Sequence, residues 1–433
     1  MSSATAYLLE RAWVDGAVRD DVLVTVEDGV IAAVDSPGLV TVASQPPRPP
    51  SVVPGLTIPG LVNDHSHAFH RALRGRTQRE RGTFWTWREQ MYAVAGRLHP
   101  ESYFGLARAA YREMVAAGYT HVGEFHYLHH RPDGSQYAEA NAMGEALRAA
   151  AAEAGIRITL LDTCYLSSGF GAPPEGAQIR FSDGTARQWA TRAGLDRLDH
   201  RVGAAIHSVR AVPRDQLHVF RGRDPLHVHL SEQPRENDEC LEAYGVTPTR
   251  LLHDEGLLGP GTTVVHATHL TDEDIDLLGT SRTNVCITPT TERDLADGIG
   301  PARRLHDAGC RVSIGSDSHA VVDPFEELRG LEMDERLATR ERGHWTGAEL
   351  LDVGTRGGRL EVGAPADLVT IDTRSPRTAG TGADEHTAVF AATAADVTQV
   401  MVDGRIVYTQ ADDEQIGREL DETIGALWRG GGT

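Results

Sequence analysis

The fold class predicted is α/β: a (β/α)8 TIM-type barrel carrying a small β-sandwich built from both chain ends. Three observations predict it. Eight short apolar runs alternate with amphipathic segments through the middle of the chain, the rhythm of parallel strands and covering helices. Strand-like text precedes these runs and returns after them. Histidines and acids cluster just past the last apolar residue of several runs, the end at which such barrels carry their chemistry.

In chain order, Tyr7 to about Asp35 reads as short strands. Val22–Val26 and Val30–Val34 flank Asp28-Gly29, a hairpin turn signal. The Pro-rich stretch Gln45–Pro54 reads as a linker, so residues 1–55 are expected to form the N-terminal part of the sandwich. The eight runs are Leu56–Val62, Thr120–Glu124, Ile156–Asp162, Val202–Ser208, Pro225–Leu230, Thr262–Ala267, Thr283–Thr288 and Arg311–Ser316. Amphipathic segments such as Pro100–Ala117 and Ala138–Gly155 lie between them, and the barrel is expected over 56–355. From residue 360 to 433 strand patterning returns in Ala366–Asp372 and in Val397–Tyr408, which surrounds Asp403-Gly404. A final helix, Glu414–Trp428, then leads to a Gly430–Thr433 tail expected to be disordered.

Composition narrows the function. At 433 residues the chain exceeds a single compact core, which suits one large domain plus a smaller one. A formal net charge of -20 argues against nucleic acid or an anionic membrane as partner. No apolar run approaches a membrane span, and Met1–Val14 lacks a basic start and apolar middle. The four cysteines are scattered with no C-x-x-C pair, which points to a reducing cytoplasm and no thiolate metal site. There is no lysine; every basic residue among the 42 counted is arginine. Schiff-base chemistry, a lysine phosphate loop and a carboxylated lysine bridging two metals are thereby excluded, and a single metal is favoured.

The candidate site follows from spacing. His65 and His67 stand two apart at one strand end, so their side chains share a face. His229 and Asp317 arrive at the same end of two later strands. Three imidazoles and one carboxylate with room left over describe a hydrolytic zinc site, with one Zn2+ per chain and other divalent first-row metals possible. Water at the open position would have its pKa lowered to about 7. Asp317 can orient that water as well as bind the metal. Glu232, three residues past His229, suits a proton shuttle, and His266 suits a hydrogen bond to the attacking oxygen or the substrate nitrogen. A lone H-x-H carries little weight, and His227 and His269 show how easily a histidine falls near such a site without belonging to it. Joint occurrence on strands one, five, six and eight decides the matter. His126, His129, His130 and His319 are expected to support the site or lie at the surface.

These motifs resemble those of the single-metal deaminases of the amidohydrolase superfamily. His65-Ser66-His67-Ala68-Phe69, His229 with Glu232, His266-Ala267-Thr268-His269 and Gly315-Ser316-Asp317-Ser318-His319 serve that superfamily broadly. Phe84-Trp85-Thr86-Trp87-Arg88, Glu124-Phe125-His126-Tyr127 and His207-Ser208-Val209-Arg210-Ala211-Val212 make the chain more closely similar to the formimidoylglutamate deiminases. The resemblance implies hydrolysis of N-formimino-L-glutamate to N-formyl-L-glutamate and ammonia, a step of histidine degradation, by a homodimer. It implies substrate contacts from Arg88, Tyr127, His207 and Arg210. A small anionic formimino-amino acid fits the lysine-free composition, because arginine forks grip carboxylates in pairs of hydrogen bonds. Position 70 holds His where relatives carry Gln, so His70 is assigned to the substrate as a donor. The Gly354–Leu360 connection is also shorter than in relatives. The alternatives are a purine or pyrimidine deaminase of the same superfamily, a binuclear hydrolase and an inactive scaffold barrel.

Overall fold

The computed structural model describes residues 4–35, 49–78, 82, 84–194 and 202–429. Near the N-terminus lie β1 (Thr5–Val14), β2 (Ala17–Glu27), β3 (Val30–Asp35) and β4 (Ser51–Pro59). The central strands are β5 (Leu61–Ser66), β6 (Tyr119–His126), β7 (Arg157–Cys164) and β8 (Val202–Ile206). They continue as β9 (Leu226–Leu230), β10 (Thr262–His266), β11 (Asn284–Ile287) and β12 (Arg311–Ile314). Last come β13 (Leu368–Ile371), β14 (Val397–Val402) and β15 (Arg405–Thr409).

Strands β5 to β12 form one eight-stranded sheet in sequence order. Every neighbouring pair is parallel. The sheet closes on itself where Ser66 bridges Asp317 in parallel register and the Asp317 N–H donates to the His65 carbonyl at 3.0 Å. This is the expected barrel. Its helices bury one stripe each. Pro100–Ala116 turns Tyr103, Leu106, Ala110 and Met114 inward at helical spacing, and the Ala-rich Ala142–Ala154 stops at Gly155 in left-handed conformation. Among the described residues no helix is long and apolar enough to cross a membrane.

The two chain ends meet in a seven-stranded sheet ordered β15-β14-β13-β4-β1-β2-β3. It curls so that β3 returns to the segment before β13, with Val30 bridging Pro365 and Ile31 N–H donating to the Ala364 carbonyl at 2.9 Å. Between its faces lies a separate core that includes Leu9, Val24, Ile31, Leu360 and Met401.

The expected strand Leu56–Val62 is in fact two strands. Residues up to Pro59 belong to the terminal sheet, and the barrel begins at Leu61, so the boundary sits later than 55/56. Gly60 is the crossing point: a Cβ there would lie 2.2 Å from Thr120 Oγ1. Of the expected linker Gln45–Pro54, residues 45–48 lie outside the described chain, and Ser51–Pro54 open β4. The Gly430–Thr433 tail also lies outside it. In the short Gly354–Leu360 connection, Arg356 ends the helix Gly347–Thr355 at φ 51° and sends its guanidinium to Asp64, 2.6 Å away at the barrel floor.

Candidate active site

His65 lies within β5 and His67 one residue beyond it; His229 comes from β9, and Asp317 follows β12. Their ligand atoms all fall within 4.8 Å of one another and all four residues are buried. His65 Nε2 lies 3.2 Å from His67 Nε2 and 3.1 Å from His229 Nε2. Asp317 Oδ1 is 3.4 Å from His65 Nε2 and 3.3 Å from His67 Nε2. The close seam between β5 and β12 requires Gly315, whose Cβ would sit 2.6 Å from the His65 carbonyl oxygen. Ser231, His266, Ala267, Asp317 and His319, all around this mouth, hold positive φ. Such conformations cost about 1–3 kcal/mol each and persist where surroundings impose them, typically at functional sites.

The donor set fits a metal ion. His67 Nδ1–H donates to the Phe125 carbonyl at 3.0 Å, which leaves the lone pair on Nε2 facing the cluster. Burial pushes the His65 pKa down to about 3, with His67 adding to the fall and Asp317 opposing it. Burial and the surrounding histidines likewise lower His229. Neutral imidazoles cannot hydrogen-bond one another through facing lone pairs, whereas one cation satisfies all three and the carboxylate. Nitrogen and oxygen donors without thiolate suit zinc or another divalent first-row ion.

His266, the last residue of β10, sits over this cluster. Its Nε2 lies 4.0 Å from Glu232 Oε1 and 3.9 Å from Asp317 Oδ2, and its Nδ1 lies 3.8 Å from Glu292 Oε1. Burial alone would lower its pKa, but the three carboxylates together raise it to about 10. A cation held by the neighbouring donors would pull that value back. Thr288 Oγ1, 3.2 Å from Nδ1, fixes the ring.

A pocket opens over the cluster, and every residue assigned to substrate from the sequence lines it: His70, Arg88, Tyr127, His207 and Arg210. Glu232, His266 and Asp317 line it too. His70 Nε2 is hydrogen-bonded to Tyr127 Oη at 3.1 Å, and its ring meets Trp87 edge-on. Arg88, on the helix Phe84–Ala95, donates from Nε to Tyr92 Oη at 2.6 Å, and Gln178 joins Tyr92 to Tyr165 with 2.9 Å bonds to both hydroxyls. The helix is held by the buried Arg180, which bonds the carbonyls of Ala95, Leu98 and His130. Arg210 lies four residues past the end of β8, not two, because that strand stops at Ile206.

Tyr92, Tyr165, Gln178 and Glu292 escape sequence reading. They reach the site from distant segments and carry no motif; Tyr165, just past β7, and Glu292, one turn into the helix after β11, stand at a strand's productive end. His126, His129, His130 and His319 are all buried, so none is at the surface. His319 Nε2 bonds Ser66 Oγ at 2.9 Å and His130 Nε2 bonds Asp183 at 3.0 Å. His227 faces Asp64 at the floor, and His269 Nε2 bonds the Asp297 carbonyl at 2.8 Å.

A model of the amidohydrolase family matches residues 56–407. The chain belongs to that family. Within it, the formimidoylglutamate deiminase of Pseudomonas aeruginosa is 36% identical over 406 residues, covering 86% of this chain and 90% of that one. A 5-methylthioadenosine/S-adenosylhomocysteine deaminase of Natronomonas pharaonis is 29% identical over 386 residues, with 84% and 83% covered. The crystal structure of an amidohydrolase from Brucella melitensis superposes with a TM-score of 0.87 at 30% identity, covering 98% of this chain and 100% of the other. This amidohydrolase therefore carries its polar cluster at the barrel mouth, where the fold places catalysis.

Proposed function

We propose that this amidohydrolase hydrolyses N-formimino-L-glutamate to N-formyl-L-glutamate and ammonia, the chemistry of a step in histidine degradation. The observation that carries the reading is the pairing of Arg88 and Arg210 in one pocket with the four-donor cluster, in a chain that has no lysine. Two guanidinium forks match a substrate with two carboxylates.

His65, His67, His229 and Asp317 would hold one Zn2+, which supplies Lewis acidity that activates water and polarises the amidine near neutral pH. Glu232 takes the proton of the attacking water as its oxygen bonds to the formimino carbon. His266 donates from Nε2 toward the oxygen as charge develops there, and Asp317 orients the water. Glu232 passes that proton to the formimino nitrogen, then relays the proton of the new hydroxyl to the same nitrogen; the C–N bond breaks, NH3 leaves, and the C=O of the formyl group forms on the product. Arg88, Tyr127, His207, Arg210 and His70 fix the glutamate portion, and such alignment contributes several kcal/mol of barrier reduction.

A second reading, a ring deaminase, draws on the aromatic lining of Trp87, Tyr92, Tyr127, Tyr165 and Phe181. Against it, the described lining contains no Asn or Gln to read a ring edge. The test is ammonia release from N-formimino-L-glutamate, N-formimino-L-aspartate, 5′-methylthioadenosine and guanine, with metal content measured on the same sample. Turnover of the rings and not the formimino acids would overturn the proposal.

A further inference from the structure

Glu236 takes no part in the chemistry above, yet it is buried beside the pocket. It stands in the first turn of the helix Pro234–Tyr244, one turn past Glu232. Its side chain is 1% exposed, and no side chain donates a hydrogen bond to either carboxylate oxygen. Among the described residues its ion-pair partner is Arg210, whose Nε lies 3.6 Å away and is likewise buried without a hydrogen bond. A carboxylate stripped of water and left short of donors is costly, and such groups demand an explanation. The surroundings supply one. Arg210 lines both the pocket over the donor cluster and an outer groove that Glu236 also lines, so the guanidinium forms a partition between the two.

We infer that Glu236 is the positioning counter-charge of Arg210, holding its Nε edge from behind so that its remaining donors face a substrate carboxylate. This rests on the reading of Arg210 as a carboxylate grip. The arrangement is a carboxylate–guanidinium–carboxylate sandwich completed by substrate. The fork has five donors in one plane, so engaging one edge fixes where the other points. Glu236 touches no reacting atom and acts through Arg210.

The experiment is a double-mutant cycle with Glu236→Gln, Arg210→Gln and the double variant, plus Glu236→Asp as the conservative control. Glu236→Gln is expected to raise KM for N-formimino-L-glutamate about tenfold while kcat changes less than about threefold, with metal content unchanged. Glu236→Asp should recover part of the loss. In the Arg210→Gln background the Glu236→Gln change should move KM by less than about twofold. An unchanged KM in Glu236→Gln, or the same factor in both backgrounds, overturns the inference. A wild-type enzyme inert toward formiminoglutamate sinks the substrate reading instead. The cycle is then read from glutarate dissociation constants by calorimetry, where additive losses or no binding at all would overturn the positioning role.

Discussion

Arg192→Met offers a measurable test of what holds the barrel wall behind the site. Arg192 is buried between Asp162, at the end of β7, and Asp183. Its Nη2 and Nη1 bond the two Asp162 oxygens at 2.8 and 3.0 Å, and its Nε bonds both Asp183 oxygens at 2.9 and 3.0 Å. Burial alone would raise the Asp162 carboxyl, but Arg192 and His129 outweigh it and hold that carboxyl well below its usual range. Methionine keeps much of the volume and removes the guanidinium, leaving Asp162 only the Trp189 indole N–H and Asp183 only His130 as side-chain hydrogen-bond partners among the described residues. Breaking a buried pair in this way costs about 3–5 kcal/mol. The pH dependence follows from the signs. In wild type the depressed carboxyls add stability that is present above about pH 4 and lost as pH falls below it. In the variant, burial raises them, the folded state binds protons first, and stability grows as pH falls. Urea unfolding should therefore show a gap of about 3–5 kcal/mol at pH 7.5 that narrows by pH 5. A gap under about 1 kcal/mol at pH 7.5, or one of equal size at both, would refute the reasoning.

Three further outcomes are expected. Glu232→Gln should lower kcat by about 10²–10⁴ with metal content intact, and near-normal turnover would end its role as proton carrier. Dialysis against a chelator should abolish ammonia release and lower Tm, with both restored by added zinc; full activity in the metal-free protein would contradict the donor assignment. Glu124 is the third case. Burial raises its pKa to about 8 against the hydrogen bonds from the Ala68 N–H and Ser66 Oγ, both 2.7 Å long. A raised carboxyl adds stability that is complete below about pH 4.5 and is lost as pH rises to 8. The stability of wild type relative to Glu124→Gln should then fall by on the order of 1 kcal/mol per pH unit between pH 5 and 8; parallel profiles would count against it.

The barrel was legible because its strands are short apolar runs and its ligands fall at their carboxyl ends. His65 and His67 could be paired from spacing alone, since residues two apart in a strand share a face. The boundary was obscured where Leu56 to Val62 reads as one unbroken run although Pro59-Gly60 turns the chain from one sheet into another. Arg88 and Tyr127 were reached through family motifs and not through physics, for an arginine on a helix and a tyrosine just past a strand look ordinary. The hydrogen-bond chain from Tyr92 through Gln178 to Tyr165 had no local signal. Gln178 lies 86 residues from Tyr92, and the packing that joins them is a property of the closed barrel.

The seam between β5 and β12 joins the first and last barrel strands, and the donor cluster straddles it. A nascent chain therefore exposes His65 and His67 to solvent long before Asp317 leaves the ribosome. A cation gripped by all four donors would be a clasp fastened only once the circle of strands has closed.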